Sequence, residues 1–251
     1  MAVLGMRAAA TGMVLGWHGA TAAVRDAMVA GRSRDMRSIL VGLAVLELLA
    51  VQPARAADLV VKVSDDQGRP VADAVVTVLP RSGGGPQRPP PERRTIDQKN
   101  LMFVPYIEVF RPGDQVVFRN SDSTRHHVYS FSPIKAFEFV LAPVESSQPQ
   151  LLDKPGVVAV GCNIHDHMIS YLYVSDAPWI AHSGASGVVT IHGLAAGTYD
   201  VRVWQPRLRP GRPDLVQSTT IVAGSGTTGL AFALKLLPDP RLQFDREHTN
   251  Y

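Results

Sequence analysis

The chain carries a single cysteine in 251 residues, Cys162, so no intrachain disulfide can hold it together. Apolar runs long enough to span a bilayer are missing as well. The stretch Ile39 to Val51 contains Glu47 and falls short of the ~20 residues that a membrane helix needs. Charge of one sign is also lacking. Six of the 25 basic and three of the 22 acidic residues lie in the first 56 positions, which leaves 19 of each from Ala57 onward. A neutral body has no basic stripe, and nucleic acid is set aside as a partner.

What the N-terminal region does contain is an export pattern. MRSILVGLAVLELLAVQPARAAD, Met36 to Asp58, has a basic start at Arg37, an apolar centre and Ala54-Arg55-Ala56 before Ala57, the arrangement of a secretory signal. Residues 36–56 are therefore expected to be a signal peptide and 1–35 a mis-start or disordered leader. The expected location is the periplasm, with membrane attachment only through an uncleaved signal. In that oxidising compartment a lone thiol needs burial, a partner or a metal to escape oxidation.

From Ala57 the composition favours strands. The chain has 19 prolines and 21 glycines, and short runs of Val, Thr and Tyr separated by turn residues indicate an all-β protein. Leu59–Val63 and Ala74–Leu79 alternate around Gly68 and Pro70 and are expected to form a hairpin. Residues 81–94 are rich in proline and glycine and are expected to be a linker. Strands are expected near Tyr106–Phe110, Gln115–Arg119, His127–Ser132, Phe137–Leu141 and Tyr171–Val174, with Val157–Gly161 as a continuous apolar run fit for a buried strand. After Pro178 come Val188–His192, Thr198–Trp204, Thr219–Val222 and Leu230–Leu236. The expected organisation is one β-sandwich over 95–178, a small immunoglobulin-like module assembled from 57–80 and 179–237, and a tail over 238–251.

Chemistry concentrates in two short segments. Gly161-Cys162-Asn163-Ile164-His165-Asp166-His167-Met168 offers a thiol, two imidazoles and a thioether in a loop between two strands, soft and borderline donors that suit copper better than magnesium or calcium. Asn120-Ser121-Asp122-Ser123-Thr124-Arg125-His126-His127 follows another strand and supplies one more imidazole. Adjacent strand residues face opposite ways, so only one of His126 and His127 is expected at a metal. Asp122 and Asp166 are read as turn residues. His182, His192 and His248 have no comparable company, and Gly193–Tyr199 reads as a turn between strands.

The spacing Cys162-x-x-His165-x-x-Met168 after an apolar strand, with Asn120 six residues before His126, resembles the plastocyanin and amicyanin cupredoxins. The phrases HHVYSFSP and KPGVVAVGCNIHDHM also resemble bacterial periplasmic methylamine-utilisation or plastocyanin-like proteins, out to Arg207. The resemblance implies a cupredoxin Greek-key β-sandwich beside the immunoglobulin-like module, which is itself similar to carboxypeptidase-regulatory-like modules. It implies one copper ion cycling between Cu(I) and Cu(II), held by His126, Cys162, His165 and Met168. His127, Asn120, Asn163, Asp166 and His167 are expected around those ligands. Where the familiar pattern has proline two residues after the cysteine, this chain has Ile164.

The implied function is single-electron transfer with a periplasmic redox protein, a cytochrome or a dehydrogenase. His165 is the expected electron route, and Pro133, Ile134 and Ile169 the expected docking rim. Copper storage or delivery, a copper enzyme with an open coordination position, and a metal-free structural or carbohydrate-binding sandwich are the alternatives.

Overall fold

The structure, a computed structural model, describes residues 56–211 and 214–243. The expected leader, 1–35, and nearly all of the expected signal peptide lie outside the described residues. Within them the chain forms sixteen strands and one short 3₁₀ helix, and no helix is long and apolar enough to cross a membrane. The described residues form an all-β assembly of two sandwiches.

The first sandwich uses both ends of the described chain. Strand β1 (Ala57–Asp65) lies between β13 (Val188–Leu194) and β16 (Thr227–Leu234), antiparallel to the former and parallel to the latter. Facing it is a four-stranded sheet of order β12 (Trp179–His182), β2 (Val75–Pro80), β14 (Gly197–Trp204) and β15 (Leu215–Ile221). Period-two alternation aims Leu59, Val61 and Val63 of β1 inward against Val76, Val78, Val201 and Val203, which is the burial that drives the two sheets together.

The expected hairpin between β1 and β2 does not form. The two strands lie in opposite sheets, and the chain between them first closes a tight turn, with the Asp65 carboxylate accepting the N–H groups of Gln67 and Arg69 at 2.9 Å each. Alternation alone states which face is apolar, not whether neighbouring strands pair by their edges or stack by their faces.

The second sandwich is inserted between β2 and β12. One sheet has the order β5 (Ile107–Phe110), β11 (Ile169–Val174), β10 (Gly156–Cys162), β7 (His126–Ser132), β8 (Lys135–Leu141), and the other β4 (Phe103–Val104), β3 (Arg93–Gln98), β6 (Asp114–Asn120), β9 (Gln150–Leu152). Strand β3 starts at Arg93, inside the segment read as linker, and β4, β9 and β12 were not among the expected strands. Strand β10 is not buried on both faces as its apolar run suggested. Val158, Val160 and Cys162 point inward while Ala159 is exposed.

The inward residues of this sandwich run in files: Ile96 and Gln98 on β3; Val116, Phe118 and Asn120 on β6; His126, Val128 and Ser130 on β7; Val158, Val160 and Cys162 on β10. Strand pairing sets Gln98 beside Asn120 and Cys162 beside Val128. Gln98, Asn120, His126 and Cys162 thus gather at one end of the core.

The two sandwiches share a buried joint. Strand β2 is buried on both faces: Val76 and Val78 face their own core, while Val75 meets Tyr106 and Ile107 of the second sandwich, flanked by Tyr171, Tyr173, Ile180 and Trp204. The Trp204 ring lies 5.9 Å from Tyr171 and 5.1 Å from Tyr173. Arg241 on the 3₁₀ helix (Pro240–Gln243) covers the Tyr106 ring at 3.9 Å and reaches Asp73 at 3.0 Å, so part of the segment read as a tail is fixed to this joint.

Candidate metal centre

Cys162 is the last residue of β10 and is 2% exposed. The loop after it turns back at once: Cys162 donates its N–H to the Met168 carbonyl at 3.2 Å, and Met168 donates to the His165 carbonyl at 3.0 Å. That closure brings His165 over the cysteine and leaves Met168 buried in the same core cluster as Cys162. A further bond, Asn163 N–H to the His127 carbonyl at 3.1 Å, ties the loop to β7.

His126 opens β7 on the inward face and is fully buried. Its Nδ1 lies 3.8 Å from Cys162 Sγ, the Nδ1 of His165 lies 3.9 Å from the same sulfur, and the three donor atoms fall within 4.8 Å of one another. Metal–nitrogen bonds of about 2.0 Å and metal–sulfur bonds of about 2.3 Å, set roughly 120° apart, place nitrogen and sulfur about 3.7 Å from each other. Both observed nitrogen–sulfur spacings are close to those of a trigonal N₂S set around one ion. Zinc sites draw on Cys, His and carboxylates, whereas copper also takes a weak thioether, and Met168 is the thioether at hand. The donor chemistry fits copper.

The imidazoles are prepared for ligation. Nε2 of His126 donates to Asp122 Oδ2 at 2.9 Å, which puts the proton on Nε2 and turns the Nδ1 lone pair toward the sulfur, the usual arrangement of a carboxylate behind a metal-bound histidine. Burial, followed by the positive charge that His126 and His167 can carry, holds His165 below the ordinary histidine value and so neutral near pH 7. Burial alone would raise the Asp122 carboxyl, but the donors from Leu101, His126 and Asn100 outweigh it and hold it below its usual value.

Asn120 braces the loop that carries Asp122. Its fully buried amide donates to the carbonyls of Thr124 at 2.7 Å and Leu141 at 3.1 Å, and its Oδ1 accepts the Asp122 N–H at 2.9 Å. His127 points the opposite way, out of the sandwich, and pairs through Nε2 with Glu138 at 2.9 Å. Of the residues expected around the ligands, then, His127 contributes only its carbonyl. Asn163 contributes its N–H, Asp166 is exposed, and His167 donates from Nε2 to the Leu101 carbonyl at 3.1 Å.

No protein-family model matches the chain, and neither does any curated relative. Solved structures do. Amicyanin from Paracoccus versutus is 15% identical with a TM-score of 0.30, over 32% of this chain and 79% of that one. The purple cupredoxin from Nitrosopumilus maritimus is 19% identical with a TM-score of 0.29, over 32% of this chain and 98% of that one. The architecture of the metal-bearing sandwich is read from its own strand order and inward files.

The expected docking rim is not where sequence placed it. Pro133 and Ile134 form the β7–β8 turn, where Ile134 lies against Gly156 at the start of β10, the end remote from Cys162, and Ile169 is packed into the joint between the sandwiches. The loops that carry His165 and the Asp122 contacts present Ile164, 51% exposed, and Met102, 40% exposed. Sequence reading also missed Asp122 as the partner of His126. Its only signal was a carboxylate four residues ahead of His126.

Proposed function

We propose that the chain is an exported copper protein that passes single electrons through a mononuclear site built from His126, Cys162, His165 and Met168. The observation that carries the reading is the Nδ1–Sγ–Nδ1 triangle, with separations of 3.8 and 3.9 Å, set at the end of an apolar core. A copper ion held there supplies a one-electron couple, its intense thiolate charge transfer being the signature of the cysteine ligand.

The chain's own residues favour fast exchange. His126 is held by Asp122, the cysteine loop by Met168 and His127, and both loops spring from paired strands, so the donors need little rearrangement between oxidation states. His165 is the partly exposed donor and offers the route for the electron, with Ile164 and Met102 as an apolar rim for a periplasmic cytochrome or dehydrogenase. Burial of both His126 and Cys162 disfavours a carrier that hands its ion onward. The engagement of His127 with Glu138 removes one base a copper enzyme would have used. Membership of the methylamine-utilisation or plastocyanin-like group, and export through residues 36–56, belong to the same proposal.

The test is an optical and paramagnetic resonance titration of the purified protein with Cu(II). A strong visible band that saturates at one equivalent is expected. A pale complex without thiolate charge transfer would reject the electron-transfer reading.

A further inference from the structure

The two histidine ligands sit on separate loops, and a third segment touches both. The turn Lys99–Met102 joins β3 to β4 by reciprocal backbone bonds, Lys99 N–H to Met102 O at 2.9 Å and Met102 N–H to Lys99 O at 3.2 Å. Its central residues, Asn100 and Leu101, have φ of 55° and 57°. Two-residue hairpin loops of this left-handed form favour asparagine followed by glycine. Leucine in the second place is strained, and such a residue persists where its surroundings over-determine it.

Those surroundings are the metal centre. The Asn100 N–H donates to Asp122 Oδ1 at 2.6 Å and the Leu101 N–H to Asp122 Oδ2 at 3.0 Å. The Leu101 carbonyl accepts from His167 Nε2 at 3.1 Å, and its side chain packs against the core that includes Cys162 and Met168. One turn is therefore bonded to the loop of His126 through Asp122 and to the loop of His165 through His167.

We infer that the β3–β4 turn and Asp122 form a clasp that sets the metal-binding geometry before any ion arrives. The paired N–H groups of Asn100 and Leu101 aim the Asp122 carboxylate at His126 Nε2. That contact keeps the His126 proton on Nε2 and its Nδ1 toward Cys162. The Leu101 carbonyl, through His167, fixes the loop carrying His165. Asp122 is thus a positioning residue, separated from the ion by the imidazole it orients. The tautomer stands on the geometry of the protein alone, while the effects on copper rest on the proposed function.

Two measurements test the clasp and keep it distinct from that function. In the metal-free protein, ring nitrogen–proton correlation spectra are expected to show His126 as the Nε2–H tautomer, with that preference lost in Asp122→Ala. In the copper-loaded protein, Asp122→Asn, which keeps the shape and removes the charge, is expected to weaken copper binding about 10- to 100-fold and to raise the reduction potential. Glu138→Gln, which removes the partner of His127 on the outer face, should change neither. An Nδ1–H tautomer in the unaltered protein, or an Asp122→Asn variant with unchanged affinity and potential, overturns the clasp even if thiolate–copper absorption is present. The expected tautomer, abolished by Asp122→Ala in a protein that takes up no copper, upholds the clasp and overturns the function.

Discussion

The two sandwiches obey the same period-two rule and use it differently. In the terminal one the fully buried residues that form the core are apolar, from Leu59, Val61 and Val63 on β1 to Phe232 and Leu234 on β16. In the inserted one the files begin the same way and then end on Gln98, Asn120, His126 and Cys162. Burying a polar group is costly unless it finds a partner. Asn120 meets Thr124 and Leu141, and His126 meets Asp122, whereas neither side-chain amide atom of Gln98 finds one among the described residues. A candidate metal centre of this kind needs no new architecture: His126 and Cys162 are terminal inward residues of adjacent strands, and the loop that follows Cys162 adds His165 and Met168.

Cys162→Ser should break the contrast most completely. The inserted sandwich would keep its fold while the thiolate–copper absorption disappears, and Met168→Leu in the same background of strands should retain copper with a shifted potential. Optical titration and voltammetry read both. Leu59→Ala, by comparison, removes a fully buried side chain from the apolar sandwich and is expected to cost about 2–5 kcal/mol in denaturant unfolding, with the copper spectrum of the folded protein unchanged. A spectral change there would mean that the two cores are coupled.

Gln98→Leu sharpens the comparison in the opposite direction. Replacing an unpartnered buried amide by an apolar side chain of similar size should stabilise the metal-free protein by about 1–3 kcal/mol. Loss of stability would show that the amide has a bound partner, such as an internal water.

The smallest effect concerns the joint. Burial alone would raise the Asp239 carboxyl, but hydrogen bonds from Arg241 outweigh it and hold the group below its usual value. A depressed carboxyl contributes stability that is complete above its unfolded value, about pH 4, and is lost as pH falls through the lower folded value. The deficit of Arg241→Ala relative to the unaltered protein should therefore narrow on acidification below about pH 4, in thermal melts at matched ionic strength.

Much of the strand pattern was legible because alternation reports burial directly, as in β1 and β6. What alternation cannot report is the partner, which is why β1 and β2 read as a hairpin although they face each other across a core. The choice between His126 and His127 was open for a related reason. The file His126–Val128–Ser130 is no more apolar than His127–Tyr129–Phe131, yet the second faces outward, with Phe131 74% exposed. Cys162-x-x-His165-x-x-Met168 was readable because one short loop contains it. Asp122 was not, since its role depends on a turn some twenty residues away whose N–H groups point at it.

Strand β12 pairs antiparallel with β2, Trp179 opposite Val78, so the chain leaves the terminal sandwich and re-enters it at neighbouring points on one sheet. The inserted sandwich is topologically an oversized hairpin loop. Removing residues 81–178 and closing the gap with a short turn would restore an ordinary β-hairpin and leave the seven-stranded host with its connectivity intact, at the cost of uncovering Val75, Ile180 and Trp204. By the same reasoning the host can accept a different guest, provided that guest brings its two ends together and offers an apolar face to those three residues.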